Sequence, residues 1–270
     1  LTVADMCKEA KVPFVLNDKI PSDPSIVAEL KANPYFAGAV SPANADYGEA
    51  IAKYALNQGL KTCIISSSGV GDPSDTPRLE AFKEIFTASG GQILSELHSS
   101  AADEAQSQIE DALIANPDPD FIYGVGSDFG IAAVSALENA GNTRAIVLTS
   151  GLDKAALELL GNSSLKMVNG DFWIAGMLSA VVLQNYLDGT PLKEHDGNPV
   201  WIDSILPFEV PAEKYDLYKR FFLDEYCYSA DEIRQMSGKY NPDFNYDAFL
   251  KVIEDYSLDN RLIAKYKEGK

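Results

Sequence analysis

The sequence predicts an α/β protein built on doubly wound parallel sheets, and three features predict it. Short apolar runs alternate with amphipathic stretches of about 10 to 15 residues, the pattern of βαβ units with right-handed crossovers. Near the middle, the segment Pro117-Asp118-Pro119-Asp120-Phe121-Ile122-Tyr123-Gly124-Val125-Gly126-Ser127-Asp128 ends an apolar run in a small, polar, Gly-bearing turn where the next helix begins. In a parallel sheet that turn lies at the carboxyl edge, where ligands bind. Finally, 46% hydrophobic and 23% charged residues in a chain of 270 allow a large core, in one long domain or two of ordinary size.

The elements follow from periodicity and breakers. Leu1 to Ala10 has helical spacing, Val12 to Leu16 is a short apolar strand and Phe36 to Val40 a weaker second one. Pro21, Pro24 and Pro34 punctuate Ile20 to Pro34, which reads as an irregular connection. Ala43 to Leu60 is an amphipathic helix with Tyr47, Ile51, Tyr54 and Ala55 on its apolar face, and Lys61 to Ile65 is a buried strand. The scheme then repeats: helix Arg78 to Ser89, strand Gln92 to Leu97, helix Asp103 to Ala115, strand Phe121 to Gly124, helix Ser127 to Ala140 and strand Ala145 to Thr149. Helix Lys154 to Leu160, strand Leu165 to Val168, the strongly apolar helix Ile174 to Leu187 and an extended stretch Trp201 to Val210 follow. Beyond these the chain becomes rich in Tyr, Phe and charge, with helical stretches near Ala212 to Leu223, Asp231 to Met236 and Tyr246 to Tyr256. Tyr215, Tyr218, Phe221 and Phe222 at helical spacing imply packing, either around the lobe that holds their own sheet or against a partner.

Forty acidic against 22 basic residues give a net charge of −18, which repels phosphate backbones and anionic lipid surfaces and argues against nucleic-acid binding. No run of about 18 apolar residues suggests a membrane span. Cys7, Cys63 and Cys227 form neither a disulfide framework nor a metal motif, and Cys63 reads as a buried core thiol. The chain opens on Leu1 with no charged and apolar leader, so any export signal is expected to have been removed or left out.

Taken in order, several segments resemble the type I periplasmic substrate-binding proteins, the sugar-binding family that includes ribose and xylose receptors and the sensor domains of LacI-type repressors. Ala10-Lys11-Val12-Pro13-Phe14-Val15-Leu16-Asn17-Asp18-Lys19 resembles the family's "GIPVV…D" strand. Lys61 to Ser68 followed by Arg78-Leu79-Glu80-Ala81-Phe82 resembles its strand, Gly-rich loop and R-x-x-G-F helix; Pro117 to Leu137 and Ala145 to Ser150 resemble two later strand units. The resemblance implies a two-lobed fold with one lobe incomplete, since the family carries further strands ahead of the first of these. It assigns residues 1–41 and 171–197 to the remainder of the N-terminal lobe, 42–170 and 198–210 to the C-terminal lobe, and 211–270 to a helical C-terminal extension. Hinges are then expected near Ser41-Pro42, Gly170-Asp171 and Gly197-Asn198. A half-built sheet leaves an open edge beside Val12 to Leu16, and such an edge predicts a homodimer or aggregation through it unless another chain fills it.

Ligand-binding candidates are Asp18, Lys19, Arg78, Ser127, Asp128, Ser150, Asp171 and Trp173. Asp18 and Lys19 follow an apolar strand; a carboxylate there accepts from two sugar hydroxyls and the cation donates to a third, unless the pair is a surface turn. Arg78 offers a planar fork of five donors for vicinal hydroxyls or a carboxylate, and a cation at a helix start opposes the macrodipole unless it has a function. Gly124-Val125-Gly126-Ser127-Asp128-Phe129-Gly130 narrowly misses a dinucleotide fingerprint, so Ser127 and Asp128 read as hydroxyl ligands, with helix capping the other role for Asp128. Ser150 ends the next strand where the family often has Asp. Asp171 with Trp173 pairs a carboxylate with an aromatic face for the C–H side of a sugar ring, and packing is the alternative for Trp173.

His98 and His195 lie in no triad or metal spacing, and no hydrolase, kinase or zinc motif is present, so neither catalysis nor a cofactor or metal is expected. The implied function is an extracytoplasmic solute-binding protein, in the periplasm or lipid-anchored at the cell surface. It closes on a small polyhydroxylated ligand, a sugar, and presents it to an ABC permease or a membrane sensor. The alternative is the ligand-sensing domain of a transcriptional regulator or membrane sensor.

Overall fold

The computed structural model describes residues 1–170, 172–224, 226–257, 260–261 and 264, the side chains of 172, 173 and 221–223 excepted. In chain order it contains α1 (Thr2–Ala10), β1 (Phe14–Asn17), α2 (Pro24–Lys31), β2 (Phe36–Pro42), α3 (Asn44–Asn57), β3 (Thr62–Ser67), α4 (Asp75–Ala88), β4 (Gln92–His98), α5 (Ala102–Ala115), β5 (Phe121–Gly124), α6 (Ser127–Asn139), β6 (Ile146–Ser150), α7 (Lys154–Leu160), β7 (Leu165–Gly170) and α8 (Phe172–Leu187). Then come β8 (Val200–Ile205), β9 (Phe208–Pro211), α9 (Tyr215–Tyr218), α10 (Ala230–Gln235) and α11 (Tyr246–Glu254). The chain divides into two units, one holding Leu1–Pro42, Phe172–Leu206 and Phe221–Lys270, the other Ala43–Asp171 and Pro207–Arg220.

The first unit is built on a three-stranded parallel sheet of order β1-β2-β8. Lys11 takes a left-handed conformation that ends α1, and the Val12 amide closes back on the Cys7 carbonyl, so the strand starts at Phe14 rather than at Val12. Ala4, Leu30, Phe36 and Ala39 form its core with Phe14, Leu16, Ile26 and Trp201 packed against them. Gly38 in β2 has φ 153°, and a Cβ there would meet Val200 and Val182, so the glycine admits both β8 and α8 against the strand.

The second unit carries a six-stranded sheet of order β4-β3-β5-β6-β7-β9, parallel except for β9, which runs antiparallel to β7. Cys63, Ile65, Phe121, Tyr123, Leu148 and Met167 from the strands pack with Ile51, Ala55, Leu79, Phe82 and Phe86 from α3 and α4. Burial pushes the Cys63 thiol well above its ordinary pKa, as expected of a core thiol. Asp120 ties β5 to β3 by accepting from the Lys61 and Thr62 amides at 2.7 and 2.9 Å. Its burial opposes ionisation, and these hydrogen bonds outweigh that and hold its pKa below the usual carboxylate value. Gly48 lets α3 and α4 approach backbone to backbone, since a Cβ there would overlap the Arg78 carbonyl oxygen.

Three expectations are corrected. Ile20 to Pro34 is not wholly irregular, because Pro24 opens α2 at its first turn, where its missing N–H costs nothing, and Asp23 caps the Ser25 and Ile26 amides. Residues 198–210 do not stay together: β8 pairs with β2 in the first unit and β9 with β7 in the second, so the chain recrosses at Leu206–Pro207 instead of near Gly197. The segment after 210 is likewise divided, through Arg220 with the second unit and from Phe221 with the first. In the first unit Asn185, fully buried on α8, donates to the Met236 carbonyl and accepts from the Gly238 amide, both at 2.8 Å, which docks the region after α10.

The glycines give the sharpest stability test. Gly48→Ala is expected to cost about 3 kcal/mol in chemical denaturation because backbone must move. Gly176→Ala, on α8 with nothing among the described residues within 4 Å of the new methyl, is expected to gain about 0.5 to 1 kcal/mol. Equal effects from the two would contradict the packing described.

Candidate functional site

At the carboxyl edge of the second sheet, the turn from β5 to α6 is fixed by its neighbours. Thr149 Oγ1 donates to the carbonyls of Gly124 at 2.9 Å and Gly126 at 3.0 Å. A Cβ on Gly124 would overlap the Gly130 amide, and one on Gly130 would lie 2.5 Å from Thr149 Oγ1. The Gly124 and Gly130 spacing is therefore explained by close packing of α6 on the sheet. Gly151, with φ 156°, brings the loop after β6 against the Ser127 backbone, so Ser127 and the Ser150-Gly151 turn stand together.

Each candidate can now be placed. Ser127 is half-buried and Asp128 exposed on the first turn of α6. The N-cap of α6 is Gly126 and carries no side-chain cap, so the capping role considered for Asp128 is not made. Ser150 is fully buried, its Oγ 2.9 Å from the Tyr123 hydroxyl. Burial raises the pKa of that phenol, so it is a neutral hydrogen-bonding group. Arg78 is no solvated cation: in the first turn of α4 it is 2% exposed and donates through Nε and Nη2 to Asn44 Oδ1 at 2.9 and 2.6 Å. Its Nη1 lies 3.7 Å from Asp75 and its Cζ 4.8 Å from the centre of the Tyr47 ring.

In the first unit, Asp18 and Lys19 follow β1 at the carboxyl edge of their own sheet. Asp18 adopts φ 66°, a left-handed conformation that Asp tolerates, and its carbonyl accepts from Ser41 Oγ at 2.6 Å. The half-buried Asp18 and exposed Lys19 sit in a tight turn closed by the Lys19 amide on the Asn17 carbonyl at 2.8 Å. Asp171 and the side chain of Trp173 lie outside the described residues.

Sequence reasoning passed over several polar groups at the second unit's carboxyl edge. Asn169, fully buried at the end of β7, donates to the Tyr47 carbonyl at 2.7 Å, and its Oδ1 has no hydrogen-bond partner among the described residues. The buried Oγ atoms of Ser66, Ser68, Ser74 and Ser99 share that property, as do Ser164 Oγ at the opposite edge and Gln108 Oε1 on α5. Polar residues ending apolar strands were the available signal, and Ser66-Ser67-Ser68 carries it openly. Among the described residues no group of His, Cys, Asp and Glu is arranged to hold a metal ion, and no helix is long and apolar enough to cross a membrane.

Comparison with solved structures gives the same fold. A sugar ABC transport substrate-binding protein from Bordetella parapertussis superposes with a TM-score of 0.66 at 21% identity, covering 83% of this chain and 78% of that one. A periplasmic solute-binding protein of an ABC transporter from Actinobacillus succinogenes, solved with bound D-allose, has a TM-score of 0.66 at 20% identity, with 80% and 74% covered. One from Agrobacterium vitis with bound D-fucose gives 0.66 at 21%, with 80% and 71% covered. Comparison with curated protein sequences gives no match. A sequence model described as the periplasmic binding protein domain matches residues 2–191, and the chain belongs to that family.

Proposed function

We propose that the chain is an extracytoplasmic receptor that closes on a small polyhydroxylated ligand, a sugar, and delivers it to an ABC transporter. The observation that carries this reading is the set of buried hydroxyl and amide oxygens without partners among the described residues along the carboxyl edge of the second sheet, at Ser66, Ser68, Ser99 and Asn169. Buried polar atoms are costly unless a bond completes them, and a ligand rich in hydroxyls, each both donor and acceptor, supplies such bonds. Asp18 and Lys19 hold the corresponding edge of the first sheet, and Ser127 and Asp128 are the more accessible groups of the second. D-Allose and D-fucose bound to the structural relatives point to the same ligand class. On this reading the energy of closure comes from contacts made only with ligand bound, and the chain binds rather than converts its ligand. The family of binding proteins supports that role and the extracytoplasmic location.

Thermal unfolding against D-allose, D-fucose, myo-inositol and D-ribose is the test. At about 100 times its dissociation constant, a bound sugar stabilises the fold by about 2.7 kcal/mol and raises the midpoint. Asp18→Asn keeps the left-handed turn and removes the charge, so it is expected to weaken that sugar about tenfold or more while the ligand-free midpoint stays put. Undiminished affinity in Asp18→Asn would remove this residue from the site.

We propose also that the outer edge of β1 pairs with a second copy of the chain. It ends the sheet order, and Val3 and Met6 on the neighbouring α1 are exposed. Sedimentation equilibrium is expected to detect a dimer that Val15→Pro, which breaks an edge ladder, abolishes; a monomer at all concentrations would exclude it.

A further inference from the structure

We infer that Arg78 is a positioning residue that anchors, inside the second unit, three of the four segments through which the chain enters and leaves that unit. The chain enters after Pro42, and Asn44, in the first turn of α3, receives both the Nε and Nη2 hydrogen bonds of Arg78. One turn on, the Tyr47 ring lies beneath the guanidinium at 4.8 Å, and the Tyr47 carbonyl accepts from Asn169 Nδ2 at 2.7 Å. Asn169 stands next to the last residue of β7, close to where the chain leaves at Asp171–Phe172. The chain returns at Pro207, and its first strand residues lie against the same place, Phe208 opposite Gly170 and Glu209 opposite Asn169. Three connections therefore converge on one chain of contacts, from the buried Arg78 through the half-buried Asn44 and the buried Tyr47 to Asn169.

A cation 2% exposed is tolerable only where donors and charge are matched, and the matching groups named here all come from α3 and the first turn of α4. Two N–H groups converge on one amide oxygen, a geometry the planar fork supplies and a lysine ammonium does not. Gly48 completes the anchor by letting the Arg78 backbone lie directly on α3. Arg78 thus fixes the roots of the connecting segments without needing to touch ligand. Its bearing on closure rests on the receptor reading, whereas the anchor itself is testable without any ligand.

Hydrogen exchange on the ligand-free full chain tests it. Arg78→Gln is expected to speed exchange about tenfold at the amides of residues 46–48, at Gly151 and across residues 167–170 and 208–210, the loss of charge-assisted hydrogen bonds, while α5 stays within about twofold. Asn44→Ala is expected to reproduce this pattern, and the double variant to add nothing. Phe86→Leu, a core change of the same unit, should instead add fully to Arg78→Gln. If Arg78→Gln does not fold, Asn44→Ala and Asn169→Ala carry the test, each cutting one link and each expected to loosen all three segments. Exchange that is unchanged, raised evenly through the second unit, or raised only in α4 would overturn the assignment. Because no sugar is added, a chain that binds none of the sugars tried still tests the anchor.

Discussion

Neither sheet is made from one stretch of sequence, and that constraint shapes the rest of the molecule. β2 finds β8 across about half the chain, and β7 finds β9 only after the chain has visited the other unit. Each connecting segment must be rooted where it meets its own unit, or the fixed register beyond it would be lost. Backbone contact through Gly48 and the hydrogen bonds of Arg78 supply that rooting at the first crossing; the antiparallel pairing of β9 with β7 supplies it at the third. The left-handed turn at Asp18 and the Thr149 brace under Gly126 do similar work for the loops that present polar groups.

Much of the fold was legible because period and punctuation agree with it. The strand Phe121–Gly124 and the start of helix Ser127–Asn139 stand where the sequence puts them, since an apolar run, two glycines and a polar residue leave few alternatives. Proline misled at Pro24, where a residue that breaks helices in their interior begins one, and Asp23 immediately before it was the missed cap. Which sheet Val200–Ile205 would join had no local signal at all, because partner choice is decided by contacts distant in sequence.

The candidate site was legible in type more than in state. Polar residues at the ends of apolar strands pointed to Asp18, Ser127 and Ser150, but sequence does not report burial. Ser150 turns out to face Tyr123 and Arg78 to face Asn44, both inside the unit, whereas Asp128 and Lys19 are exposed at the surface. The oxygens at Ser66, Ser68 and Asn169 that have no partner among the described residues emerge only from the three-dimensional neighbourhood. An edge lined with hydroxyls and amides suits a neutral ligand that both donates and accepts, and the chain's net charge of −18 disfavours polyanions.

The most direct measurement is small-angle X-ray scattering of the chain with and without the sugar that most raises its unfolding midpoint. A receptor that closes on its ligand predicts a smaller radius of gyration at saturation, reversed when the sugar is removed. An identical scattering curve with sugar demonstrably bound would contradict closure as the working step.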